Sequence, residues 1–138
     1  MNGVSQRPFK ILLIEDNRAD VYLLRRALQE EAPCDITELA DGDEAFVFTQ
    51  HVNDSAPPFD LIVLDLNLPG RDGAEILLAI QSNPALVRTP VAVLSSSPCD
   101  IIKKHAASAD YYLTKPCNLD EFMALAKALL DCARQGKR

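Results

Sequence analysis

Several sequence features that indicate particular functions are rare or absent in this chain, among them basic charge, long apolar runs and paired cysteines. It contains no tryptophan, and its net charge of −6 leaves it without the basic face that a general nucleic-acid binder needs. No apolar run approaches the length of a membrane span, and the first ten residues lack the apolar core of a signal peptide. The four cysteines form no C-x-x-C pair, which favours reduced thiols over a zinc site or a disulfide framework. We therefore expect a cytoplasmic protein that binds neither nucleic acid nor membrane.

The length and composition indicate one globular domain. With 138 residues, 48% of them hydrophobic, the chain can bury about two-thirds of the surface of its unfolded state. No internal repeat or low-complexity segment interrupts the sequence. We predict a single domain over residues 9–134, with flexible termini at residues 1–8 and 135–138.

Short apolar segments alternate with amphipathic ones along the chain. Strands are predicted at Phe9–Ile14, Cys34–Leu39, Leu61–Leu64 with Asp65 at its end, Val91–Leu94 and Tyr111–Leu113. Helices are predicted at Arg18–Glu31, Asp43–His51, Ala74–Gln81, Ile101–Ser108 and Leu119–Arg134. Such alternation predicts an α/β fold, in which a parallel sheet has helices on both faces.

Polar side chains follow four of the predicted strands. Glu15 and Asp16 come after the first strand, Asp65 after the third, Ser95 after the fourth and Lys115 after the fifth. In a parallel sheet these ends share one edge, so the carboxylates would lie close together and repel one another. A hard divalent cation such as Mg²⁺ relieves that repulsion, and a hydroxyl and an ammonium suit a phosphoryl group.

The order of these residues resembles the receiver domains of the two-component response-regulator family. That family has an acidic pair, a phosphoacceptor Asp, a Ser or Thr and a Lys-Pro pair after its first, third, fourth and fifth strands. The sequence also carries Asp65…Pro69…Asp72-Gly73, another pattern of the family, and the resemblance runs from Phe9 to Leu130. It implies a flavodoxin-like sheet in the order 2-1-3-4-5.

The resemblance implies a phosphorelay function. A sensor histidine kinase would donate a phosphoryl group from its phosphohistidine to Asp65. Asp16, Asp65 and the backbone carbonyl of Asn67 would bind Mg²⁺ directly, and Glu15 would act through a coordinated water. The protein would catalyse its own phosphorylation and dephosphorylation, and would not be a turnover enzyme on small substrates.

The resemblance also implies a switch. Lys115 would pair with a phosphoryl oxygen, and Pro116 in a cis peptide bond would aim that side chain. Ser95 would bind another phosphoryl oxygen, which would pull its loop inward and let Tyr112 move from an exposed to a buried position.

Two further expectations concern partners. The segments Ile14–Asp20 and Leu64–Pro69 are similar to those of stand-alone regulators served by phytochrome-type kinases. Because no output domain follows Arg138, a downstream protein target is expected. The final predicted helix has an apolar stripe broad enough either for a wide core contact or for a homodimer through the fourth and fifth predicted helices.

Several alternatives remain open at this stage. Asp16 and Asn17 could cap the first helix, Lys115 could be an ordinary surface residue, and Tyr112 could serve packing alone. The chain could be a degenerate receiver that acts as a phosphorylation-independent binding module. A haloacid-dehalogenase phosphatase would need Asp-x-Asp on the first strand, and a flavin carrier would need a hydroxyl-rich phosphate loop there. The sequence assigns no role to Cys117.

Overall fold

The structure is a computed structural model, which describes residues 7–53, 59–66, 68–95 and 109–137. The strands are β1 (Phe9–Ile14), β2 (Cys34–Leu39), β3 (Leu61–Asp65), β4 (Val91–Ser95) and β5 (Tyr111–Thr114). The helices are α1 (Arg18–Glu31), α2 (Gly42–His51), α3 (Gly73–Ser82) and α4 (Leu119–Gln135). The helix predicted at Ile101–Ser108 lies outside the described residues.

The five strands form one parallel sheet in the order β2-β1-β3-β4-β5. This confirms the predicted α/β, flavodoxin-like fold and its strand order. The register pairs Ile14 with Leu64, Asp65 with Leu94 and Ser95 with Thr114. The carboxyl ends of β1, β3, β4 and β5 are therefore nearly level, and the residues that follow them meet at one edge.

Successive residues of the central strands face opposite sides of the sheet, as the pleat of a strand requires. On β3, Leu61 and Val63 pack with helices α1 and α4, whereas Ile62 and Leu64 pack with α2 and α3. All five residues of β3 are buried. Helices thus cover both faces, which explains why this strand is a continuous apolar run rather than an alternating one.

The broad apolar stripe of α4 is used largely by the core. Three residues, Leu125, Ala128 and Cys132, widen the stripe beyond what one face of the sheet needs. Leu125 and Cys132 are buried and belong to the cluster that fills the α1 and α4 side of the sheet. Ala128 is partly buried, whereas Leu119 at the start of the helix is 57% exposed. The wide core contact therefore accounts for Leu125 and Cys132.

Residues 135–137, at the C-terminal end of the described structure, contact the start of β5. Gln135 is the last residue of α4, and the Tyr111 hydroxyl donates a hydrogen bond to the Gly136 carbonyl at 2.7 Å. The ammonium of Lys137 lies 2.9 Å from the carboxylate of Asp110. Residues 135–137 are thus attached to the start of β5, through contacts that composition could not reveal.

The described helices are buried on one side and exposed on the other. None of them is long and apolar enough to cross a lipid bilayer.

Three of the cysteines are described, and Cys34, Cys117 and Cys132 are free thiols, with Cys117 exposed.

Candidate functional site

Three carboxylates meet at the carboxyl edge of the sheet. Glu15 follows β1 and Asp65 ends β3, and both are almost completely buried, whereas Asp16 is exposed. One oxygen from each of the three lies within 4.8 Å of the others. Oxygen donors at this spacing, with one of them open to solvent, can hold a hard divalent cation.

Lys115 lies directly against two of these carboxylates. Its Nζ is 3.0 Å from Oε1 of Glu15 and 3.1 Å from Oδ2 of Asp65. The Lys115 backbone N–H donates to the Ser95 carbonyl at 3.0 Å, which extends the β4–β5 ladder by one bond. The main chain is thus fixed beside β4, and the side chain reaches over the end of β4 to β3 and β1.

The pKa values of Glu15 and Lys115 are both raised, but for different reasons. Burial raises the pKa of Glu15 to about 7, and the charge of Asp65 adds to the rise, while bonds from the Asn17 N–H and Lys115 oppose it. Burial alone would lower the pKa of Lys115, but its contacts with Glu15 and Asp65 outweigh burial and raise that pKa. Glu15 is therefore poised between its two forms near neutral pH, and a bound cation would favour the ionised one.

The first turn of α1 adds a fourth carboxylate that sequence reasoning missed. The Oδ2 of Asp20 lies 3.3 Å from Nζ of Lys115. Asn17 is the N-cap of the helix and accepts from the Asp20 N–H at 3.1 Å, so the capping role belongs to Asn17. The position of Asp20 in the sequence could have indicated its role, because the first turn of the helix that follows β1 lies at the same edge of the sheet as Glu15.

The predicted switch residues occupy neighbouring strands. Ser95 is the last residue of β4 and is 1% exposed. Tyr112 on β5 is 38% exposed. Partial burial raises the pKa of its hydroxyl, and the charge of Asp110 adds to the rise, whereas a hydrogen bond with the Ala109 backbone opposes it. Asn67, whose carbonyl was predicted to bind the cation, lies outside the described residues.

The predicted cis bond before Pro116 is corrected by the structure. No peptide bond within the described segments is cis, and these include the one between Lys115 and Pro116. The trans form is the ordinary preference of an X-Pro bond, by about 0.5–1 kcal/mol. Lys115 contacts Asp65 from this trans backbone.

The motif that begins at Asp65 shapes the loop between β3 and α3. Asp72 is the N-cap of α3 and accepts from the Ala74 N–H at 3.1 Å. A Cβ on Gly73 would come within 2.8 Å of the Leu66 Cα, so only glycine fits beside the residue that follows Asp65. The Pro69 carbonyl accepts from the N–H of Gly42 at 2.9 Å, which ties the loop to the start of α2.

The fold and this edge of the sheet define a receiver domain. Residues 11–127 match the family model of the response regulator receiver domain, so the chain belongs to that family. Its similarity to individual proteins indicates a narrower group within that family. It is 37% identical over 134 residues to the response regulator Rcp1 of a Synechocystis strain, covering 94% of this chain and 91% of Rcp1.

Solved structures point to the same group. The phosphorylated cyanobacterial phytochrome response regulator RcpA superposes with a TM-score of 0.81 at 36% identity, covering 93% of this chain and 95% of RcpA. The Mn²⁺-bound form of Rcp1 superposes with a TM-score of 0.72 at 37% identity, covering 88% of this chain and 91% of that one. The chain is thus similar to phytochrome-associated response regulators in both sequence and fold.

Proposed function

We propose that this protein is a single-domain response regulator, whose Asp65 accepts a phosphoryl group from the phosphohistidine of a sensor histidine kinase. The observation that carries the proposal is the position of Lys115, whose ammonium lies 3.1 Å from the Asp65 carboxylate, beside the Glu15 and Asp16 carboxylates. A buried nucleophile, a fixed positive charge and a set of cation ligands are the parts that phosphoryl transfer requires.

The donor set fits Mg²⁺. Asp16 and Asp65 would bind the ion directly, together with the Asn67 backbone carbonyl, and Glu15 would bind through a water molecule. All of these donors are oxygens, and Mg²⁺ prefers few carboxylates together with waters. When bound, Mg²⁺ offsets negative charge on the transferring phosphoryl group. The Mn²⁺-bound structure of Rcp1, a relative of similar size, supports a divalent cation in such a domain.

The residues of the chain have separate tasks in the transfer. A carboxylate oxygen of Asp65 forms a bond to phosphorus as the phosphorus–nitrogen bond of the donor breaks, and that electron pair returns to the imidazole. Lys115 pairs with one phosphoryl oxygen, and the Ser95 hydroxyl donates to another. Asp65 and Lys115 are already held close together at the sheet edge before the donor arrives.

The signal would be carried by Ser95 and Tyr112. A phosphoryl oxygen on Asp65 would draw the Ser95 hydroxyl inward, and Tyr112, now 38% exposed, would move to a buried position. The partly exposed ring on the neighbouring strand supports such a movement, because it has surface left to bury. The new surface would then be read by a downstream protein target.

The kinase partner would be of the phytochrome type. RcpA, which is similar to this chain over 93% of its length, is a cyanobacterial phytochrome response regulator that was crystallised in phosphorylated form. The predicted homodimer remains a proposal, because part of its face, residues 101–108, lies outside the described residues. Sedimentation with and without phosphorylation would test it, and a monomer under both conditions would rule it out.

The protein would catalyse the phosphorylation and dephosphorylation of its own Asp65, and would not be a turnover enzyme on small substrates. The alternative, a degenerate receiver that acts as a binding module, is less well supported, because the chain retains Glu15, Asp16, Asp65 and Lys115, which such a module does not need. Hydrolysis of a generic phosphate ester in the presence of Mg²⁺ would instead favour a phosphatase.

Labelling with acetyl phosphate tests the proposal. Intact-mass spectrometry should show the gain of one phosphoryl group that depends on Mg²⁺ and is absent from Asp65→Asn. Asp35→Asn, which removes an exposed aspartate of β2, is the matched control and should label like the wild type. Equal labelling of Asp65→Asn and the wild type would overturn the assignment.

A further inference from the structure

Lys115 has a third anionic partner besides Glu15 and Asp65. The Asp20 carboxylate lies 3.3 Å from the ammonium, and its side chain is 24% exposed. Asp20 is not a member of the three-carboxylate group that can hold a cation. It therefore contacts the ammonium without being placed to serve as one of the cation ligands.

The third residue of a helix often supports the turn before it, and two other helices of this protein follow that rule. In α2, Oε1 of Glu44 accepts from the Ala40 backbone N–H at 2.6 Å. In α4, Oε1 of Glu121 accepts from the Cys117 backbone N–H at 2.8 Å. In both helices the acidic side chain is engaged in holding its own N-terminus.

The corresponding residue of α1 is Asp20, and its side chain is used differently. The equivalent donor in α1 is the backbone N–H of Asp16, and within the described residues no hydrogen bond joins it to Asp20. The N–H of the N-cap Asn17 donates to Oε2 of Glu15 at 3.1 Å. The carboxylate of Asp20 is directed to Lys115, a residue from the far end of the chain. Local helix capping thus does not explain its position.

We propose that Asp20 is a positioning residue for Lys115, holding the ammonium on the α1 side of the site when Glu15 and Asp65 turn to an incoming divalent cation. The proposal rests on the proposed function, because it assumes that these carboxylates bind a cation. The ammonium and the cation compete for the same oxygens, since both are positive. Asp20 gives the ammonium a partner that the cation does not use, so Lys115 stays within reach of a phosphoryl group on Asp65.

A double-mutant cycle on cation affinity tests this role. The affinity is measured from the electron paramagnetic resonance signal of free Mn²⁺ for the wild type, Asp20→Asn, Lys115→Gln and the double variant. We expect Asp20→Asn to weaken the affinity about threefold or more in the wild type, and by less than about twofold when Lys115 is already replaced. Glu44→Gln, which removes a charge at the same position of α2, should have little effect in either background.

The outcomes distinguish an effect of Asp20 that acts through Lys115 from a general effect of its negative charge on the cation. An equal loss of affinity in both backgrounds, or no loss in the wild type, would overturn the proposal, because Asp20 would then act only as a distant charge or not at all. Circular dichroism checks that each variant folds, and Asp20→Ala provides a second substitution. Absence of Mn²⁺ binding and of Asp65 labelling in the wild type would instead contradict the proposed function itself.

Discussion

The ammonium of Lys115 lies 3.1 Å from the carboxylate of Asp65, although their strands are not neighbours. Strand β4 separates β5 from β3, and the lysine side chain passes over the end of β4 at Ser95. The same ammonium reaches Glu15 on the far side of β3. The site therefore depends on four strand ends being level, and it can exist only once β1, β3, β4 and β5 have paired.

The buried carboxylate of Glu15 should make stability depend on pH when no cation is present. Its pKa in the folded state, about 7, is above its ordinary value of 4.5, so the folded protein holds this proton more tightly than the unfolded one. The contribution is fully present below about pH 4.5 and is lost as the pH rises through about 7. We expect the free energy of unfolding to fall by up to roughly 3 kcal/mol over that range relative to Glu15→Gln.

Urea unfolding in a chelator at about pH 5 and about pH 8 measures this difference. The wild type should lose stability relative to Glu15→Gln as the pH rises, and Mg²⁺ should reduce that loss because it binds the ionised carboxylate. Parallel pH profiles of the two proteins would show that Glu15 does not titrate in this range.

Replacing Lys115 by glutamine should change cation binding and phosphoryl transfer in opposite directions. The ammonium competes with a cation for Glu15 and Asp65, so its removal should increase the affinity for Mg²⁺. The transferring group loses its fixed counter-charge, so labelling by acetyl phosphate should slow by roughly 10²-fold. Calorimetry and intact-mass kinetics measure the two quantities, and a loss of both would indicate that the site had simply collapsed.

Gly73→Ala should destabilise the loop that follows Asp65. The added Cβ would lie 2.8 Å from the Leu66 Cα, and neither backbone can move away without shifting β3 or α3. We expect a loss of about 1–3 kcal/mol in thermal or urea unfolding. Gly136→Ala is a useful comparison, because Gly136 has a positive φ, which Gly73 does not, but has open space around it, so its cost should be limited to about 1 kcal/mol. Equal effects would mean that crowding beside Leu66 is unimportant.

The switch can be observed directly, because the chain has only three tyrosines. In protein labelled with fluorotyrosine, acetyl phosphate and Mg²⁺ should shift the fluorine resonance of Tyr112 and leave that of exposed Tyr22 unchanged. Ser95→Ala should label at Asp65 but lose the Tyr112 shift, because the hydroxyl links the phosphoryl group to the ring. A Tyr112 shift of equal size in Ser95→Ala would show that the Ser95 hydroxyl does not connect the phosphoryl group to the ring.

The strands could be predicted from the sequence because each apolar run is sharply bounded. β3 is the clearest example, with four apolar residues running into Asp65, and its position in the sheet followed from the resemblance. The start of α2 was predicted one residue late. Asp41 is the N-cap and Gly42 begins the helix. A Cβ on Gly42 would lie 2.5 Å from the Arg71 backbone nitrogen, so only glycine fits at this position. That crowding comes from the loop after β3, which the local sequence does not reveal.

The parts of the site that were missed depend on contacts between distant segments. Asp20 looks like an ordinary acidic residue in the first turn of a helix, and only the folded sheet brings Lys115 to it. The bond before Pro116 is trans, and the Lys-Pro dipeptide alone does not specify its isomer. The hydrogen bond between Tyr111 and Gly136 likewise joins two segments that composition treats as independent.

The central claim is that Asp65 is the residue that becomes phosphorylated. Protein incubated with acetyl phosphate and Mg²⁺ can be reduced with borohydride, which converts an aspartyl phosphate to homoserine, and then mapped by peptide mass spectrometry. We predict homoserine at position 65 and at no other aspartate, and none when Mg²⁺ is chelated. Reduction at Asp16, Asp20 or another aspartate, with position 65 unchanged, would contradict the account.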